Sequence, residues 1–147
     1  MTNRDRYIIY TDGSCDPNPG TGGWAAIIGN GKEEVVLSGC ELESTNNRME
    51  MTAAIKALES LPKDACVEIF TDSQYLKKGI EEWMPTWIRK NWKGSNGKVA
   101  NQDLWKRLLV EASKRQVSWH WLRGHIGNQK NSRADQLAKK AIRGCQQ

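Results

Sequence analysis

At 147 residues, with 38% hydrophobic and 27% charged side chains, the chain is long enough for one ordinary core without structural metals or disulfides, and its composition excludes a disordered or fibrous polymer. Its longest apolar stretches, such as residues 24–28, fall far short of the ~18 to 20 residues that cross a bilayer, and its first ten residues lack the apolar region and cleavage site of a secretory signal. The net charge of +5 is polarised: residues 1–76 carry 6 Lys/Arg against 12 Asp/Glu, and residues 77–147 carry 16 against 5, so one half suits a cation and the other a polyanion.

Residues 6–11 are rich in β-branched and aromatic side chains and run into Asp12-Gly-Ser-Cys-Asp-Pro-Asn-Pro-Gly, a series of turn formers, so a strand feeds a loop there. Residues 23–29 and 34–40 read as two further strands, with Asn30-Gly31 supplying a hairpin signal between them. The period then becomes helical over 46–61, where Met49, Ala53, Ala57, Leu58 and Leu61 are spaced along one face, Thr45 or Asn46 can cap the start and Pro62 stops the run. Residues 66–70 form a short, mostly apolar run suited to a buried parallel strand, ending at Thr71-Asp72-Ser73, a natural helix cap. Two short helices, 74–81 and 85–90, follow, with Pro85 marking a bend. Residues 93–100 read as a flexible basic loop, 102–114 as a helix, 117–122 as a strand and 129–143 as a closing helix. The order βββαβαααβα predicts an α/β fold with a mixed sheet, in a single domain spanning 1–147. With no membrane span, leader, heptad or apolar surface patch, the expectation is a cytoplasmic monomer with no membrane partner. The four cysteines, Cys15, Cys40, Cys66 and Cys145, have no short paired spacing and are expected as reduced thiols.

Asp12 and Asp72 each follow a strand-like run. If those strands are adjacent and parallel, both carboxylates emerge in the crevice at the strands' carboxyl ends, where open α/β sheets bind ligands. Glu50, in the early turns of the first long helix, and Asp135, early in the last, can face the same crevice. Singly, each is more often a turn or cap residue. Four clustered carboxylates, however, resist joint ionisation unless a divalent cation offsets them, and oxygen ligands suit Mg²⁺ or Mn²⁺ rather than zinc. His125 lies between glycines after the last strand, where an imidazole is suited to moving protons. His120, inside a strand, reads as structural.

Five motifs, Asp12-Gly-Ser, Asn46-Asn47-Arg48-Met49-Glu50, Thr71-Asp72-Ser73-Gln74-Tyr75, Gly124-His125 and Asn131-Ser132-Arg133-Ala134-Asp135, occur in this order over most of the chain. In order and approximate spacing the sequence resembles the type 1 ribonucleases H of bacteria. The resemblance implies a ribonuclease H-like fold, a five-stranded mixed β-sheet flanked by α-helices. It also implies hydrolysis of the RNA strand of an RNA–DNA hybrid, leaving 5′-phosphate and 3′-hydroxyl ends. Asp12, Glu50, Asp72 and Asp135 would hold two Mg²⁺ ions, with Mn²⁺ a possible substitute, and His125 would serve proton transfer or product release. The rim residues Cys15, Asn18, Asn46, Asn47, Gln74 and Asn131 would bind the hybrid, with Thr45 gripping a distorted DNA backbone. Trp83, Trp87 and Trp92, interleaved with Lys90 and Lys93, match the family's basic protrusion, a handle for the DNA strand; at least one of these tryptophans is expected to be largely buried. The chain departs from the family at Pro85 and Thr86 and in a shortened, glycine-rich loop after Lys93. The competing readings are a non-catalytic hybrid-binding module of the same fold and a nuclease domain of reverse-transcriptase or integrase kind.

Overall fold

The structure, a computed structural model, describes residues 5–94, 97–123 and 129–145. Strands β1 (Arg6–Cys15), β2 (Gly20–Gly29) and β3 (Glu34–Ser44) form an antiparallel meander, followed by helix α1 (Asn46–Glu59) and strand β4 (Cys66–Thr71). Next come α2 (Gln74–Lys78), a π-helical turn at Gly79–Trp83 and α3 (Met84–Arg89). A small hairpin of two-residue strands, β5 (Lys93–Gly94) and β6 (Gly97–Lys98), precedes α4 (Gln102–Ser113), β7 (Gln116–Trp121) and α5 (Gln129–Cys145). The main sheet runs β3-β2-β1-β4-β7, with β1, β4 and β7 parallel to one another. This is the five-stranded mixed sheet flanked by helices that the resemblance implies.

Helix α1 is the centre of the core. Thr45 caps it by accepting a hydrogen bond from the Arg48 N–H at 3.1 Å, and Met51, Ala54, Ile55, Ala57 and Leu58 pack with Ile9, Val67 and Ile69 of the sheet and with Trp105 and Leu108 of α4. Because this helix is covered by the sheet on one side and by α4 on another, its apolar residues exceed a single stripe. Helix α5 instead lies against β1, β2 and β3, burying Asn131, Ala134, Ala138 and Ile142. Close approach is possible because β1 and β2 each have a glycine under a helix. A Cβ on Gly13 would stand 2.3 Å from the Glu50 nitrogen of α1, and one on Gly23 would stand 2.2 Å from the Ala138 carbonyl oxygen of α5.

Four expectations change. β1 does not stop before Asp12: pairing with β2 continues through Asp12↔Ala25 to Cys15↔Gly22, and the ladder overrides the turn-forming composition. The bend around Pro85 is resolved inside one helical run, where the Met84 N–H reaches back to the Gly79 carbonyl, a π-type bond that absorbs the missing proline donor. The loop after α3 contains the β5–β6 hairpin. Finally, Cys40 and Cys145, expected as thiols, are joined in a disulfide across 105 residues of sequence; α5 packing on β3 brings their Cα atoms to 5.9 Å, inside the range a disulfide spans. Cys15 and Cys66 remain free thiols.

Candidate active site

The parallel β1–β4 ladder aligns Tyr10 with Phe70, and the same offset two residues on sets Asp12 beside Asp72, just past the end of β4. Glu50 arrives from the second turn of α1, drawn in by the Gly13 N–H, which donates to Glu50 Oε1 at 3.1 Å and to Asp12 Oδ1 at 2.9 Å. Asp12, Glu50 and Asp72 each place a carboxylate oxygen within 4.8 Å of the others. Asp135, from the second turn of α5, lines the same cleft and holds an ion pair with Lys139 at 3.1 Å. Asn46, Asn47 and Gln74 complete the lining, with Ser14, Ser73 and Tyr75.

The electrostatics follow from crowding and burial. Asp12 is only 4% exposed; burial, with a further push from the charge of Asp72, raises its pKa from the ordinary 3.8 to about 6, against the opposing hydrogen bond with Glu50. Glu50 is driven well above the usual carboxylate range, first by burial and then by the charge of Asp12. Its Oε2 is buried with no hydrogen-bond partner. Oxygen-only donors, carboxyls that resist joint ionisation and an orphaned carboxylate oxygen together fit a hard divalent cation.

The family model described as RNase H matches residues 4–143. The chain belongs to the ribonuclease H family. It is 54% identical over 134 residues to Ribonuclease H of Granulibacter bethesdensis, covering 90% of this chain and 89% of that protein. To Ribonuclease H of Hahella chejuensis it is 52% identical over 136 residues, covering 92% of each. Among solved structures, the crystal structure of LC9-RNase H1, a type 1 RNase H with the type 2 active-site motif, superposes with a TM-score of 0.88 at 26% identity, covering 98% of this chain and 75% of that one.

Within this ribonuclease H framework, the remaining residues singled out in the sequence occupy different places. Asn18 and Thr45 serve the N-terminus of α1, Asn18 Oδ1 accepting from the Asn46 N–H at 3.1 Å, so both fix the rim on which Asn46 and Asn47 stand. Cys15 is buried, its thiol donating to carbonyl oxygens of Pro17 and Ser44, with burial the main cause raising its pKa. Asn131, in the first turn of α5, is buried. His125 lies outside the described residues. His120 stacks on Phe70 at 4.5 Å and meets Glu68 at 3.1 Å, bearing out a structural part.

Trp83, Trp87 and Trp92 are all partly buried and packed against the main core, and Trp105 beside them is wholly buried. They form a ladder from Tyr75, with centroid spacings of 5.5, 6.1 and 6.0 Å, while Trp87 also meets Trp105 at 5.8 Å. Lys90 and Lys93 are exposed beside it, and Lys106 sits over the Trp92 ring at 5.5 Å. Sequence reasoning missed the polar contacts that tie this ladder to α1, made by Asn101, Asp103 and the Tyr75 hydroxyl. No periodicity signals them, because the partners lie 26 to 55 residues apart.

Proposed function

We propose that the acidic cleft is the catalytic centre at which this chain hydrolyses the RNA strand of RNA–DNA hybrids, leaving 5′-phosphate and 3′-hydroxyl ends. The observation that carries the reading is the convergence of Asp12, Glu50 and Asp72 within 4.8 Å, with Asp135 on the same cleft. These four carboxylates would hold two Mg²⁺ ions, or Mn²⁺ in their place. When bound, such ions polarise phosphoryl oxygens and lower the pKa of water, the chemistry that in-line phosphodiester hydrolysis needs.

The chain's own residues supply position. Gly13 anchors Asp12 and Glu50 through one N–H, and the α1 rim presents Asn46 and Asn47 opposite Gln74, where amide groups can read 2′-hydroxyls across a shallow minor groove. Cys15 contributes its backbone at the end of β1. His125 takes the proton-transfer or product-release role. Trp83, Trp87 and Trp92 offer their outer edges to sugars of the DNA strand while Lys90 and Lys93 meet its phosphates. The substrate is bound mainly through backbone and shape, so base identity matters little. The chain acts as a single-domain monomer in the cytoplasm.

The test is to present the protein with an RNA–DNA hybrid, a DNA duplex and an RNA duplex side by side in Mg²⁺. Internal cuts confined to the RNA of the hybrid support the reading. Equal cutting of all three, or tight hybrid binding without cuts, overturns it, the latter in favour of a non-catalytic module.

A further inference from the structure

Asn101 occupies the position preceding α4, where asparagine ordinarily accepts a hydrogen bond from the helix's own first N–H groups, yet its side chain caps nothing. Its backbone lies in the left-handed region, φ 58° and ψ 29°, which asparagine adopts more readily than most side chains. The side chain is spent elsewhere. Its Oδ1 accepts from Arg48 Nη1 at 3.2 Å, and its Nδ2 donates to the Tyr75 hydroxyl at 2.9 Å.

Both partners are themselves held. Arg48 forms a two-pronged pair with Asp103, at 3.0 and 2.8 Å, and lies between Asn47 and Glu50 on α1. The Tyr75 hydroxyl also receives the Trp105 indole N–H at 3.3 Å, and the Tyr75 ring both lines the acidic cleft and starts the tryptophan ladder. Asn101 therefore bonds both to the helix carrying Glu50 and to the residue heading the ladder.

We infer that Asn101 is a positioning residue, fixing the tryptophan-rich basic segment in register with the acidic cleft through Arg48 on one side and Tyr75 on the other. This sets affinity for the hybrid and leaves the chemical step alone. The inference rests on the reading of that segment as the DNA-strand contact. Two rigidly related surfaces bind one duplex better than two that move independently, because the ordering cost is met before binding.

The experiment compares Asn101→Gly with Tyr75→Phe. Glycine removes both hydrogen bonds while suiting the left-handed backbone, so the fold is retained, and melting curves check this. Both variants are expected to raise KM for the hybrid roughly three- to tenfold, the range of one or two hydrogen bonds, and Asn101→Gly to keep kcat within twofold. The double variant should be no worse than the more affected single one, since both break the same link. An unchanged KM in Asn101→Gly overturns the inference. So does a silent Tyr75→Phe beside an affected Asn101→Gly, which would make Asn101 a direct substrate contact. If Lys90→Ala leaves KM unchanged, the reading of the basic segment itself fails, and the inference with it.

Discussion

Replacing Asp12 by asparagine should make the metal-free protein more stable while destroying its activity. The native carboxyl has a pKa of about 6 against an ordinary 3.8, chiefly through burial, so between those values the folded state binds more protons than the unfolded chain, and stability falls as pH rises through the window. The difference, at about 1.36 kcal/mol per pH unit, is a penalty of up to about 3 kcal/mol at neutral pH. Being 4% exposed, the group gains little relief from solvent. Asparagine keeps the oxygen that accepts from the Gly13 N–H and carries no charge to repel Glu50 or Asp72. The assay is urea or thermal unfolding in EDTA at several pH values. At pH 7 the Asp12→Asn variant should melt higher by roughly 6 °C or more, and the gain should vanish near pH 3.5. Equal or lower stability at pH 7, or a gain that persists in acid, would refute the electrostatic argument.

Reduction of the Cys40–Cys145 bond, or its removal by Cys145→Ser, should destabilise the protein by up to about 4 to 5 kcal/mol in the chain-entropy account of a loop of roughly 100 residues; melts with and without reductant, and a thiol count rising from two to four, check this. Gly23→Ala should push α5 away from the sheet, because its Cβ would lie 2.2 Å from the Ala138 carbonyl oxygen. A loss of a few kcal/mol, about the cost of overpacking, is expected in chemical denaturation, together with a higher Mg²⁺ requirement through Asp135. Lys90→Ala should lower the salt dependence of hybrid binding by roughly one in the log–log slope, read by titration at several salt concentrations.

The four acids of the candidate site were legible because their motifs, taken jointly, resemble those of the family: two follow β-rich runs and two lie in the early turns of periodic helices. The parallel neighbours β1 and β4 then do what sheet geometry requires and bring Asp12 beside Asp72. Asn46, Asn47 and Gln74 followed because they adjoin those acids in sequence. What depended on contacts between distant segments was not legible. Nothing in the spacing of Cys40 and Cys145 signals that α5 will cross β3, and nothing in Asn101 signals that its amide will bridge Arg48 and Tyr75 instead of capping α4. The tryptophans illustrate an intermediate case: helical spacing of Trp83 and Trp87 suits both packing and contact, and the ladder leaves each ring half-buried, with an inner edge for the core and an outer one for solvent.

The most direct test of the central claim uses an RNA–DNA hybrid carrying an end-labelled RNA, with Mg²⁺, comparing the native chain with Asp72→Asn and with an EDTA control. The account predicts internal RNA cuts by the native chain, a loss of at least roughly 10²- to 10³-fold in Asp72→Asn, no cuts in EDTA, and hybrid binding by the variant close to native. Undiminished cleavage by Asp72→Asn, or cleavage that persists in EDTA, would contradict it.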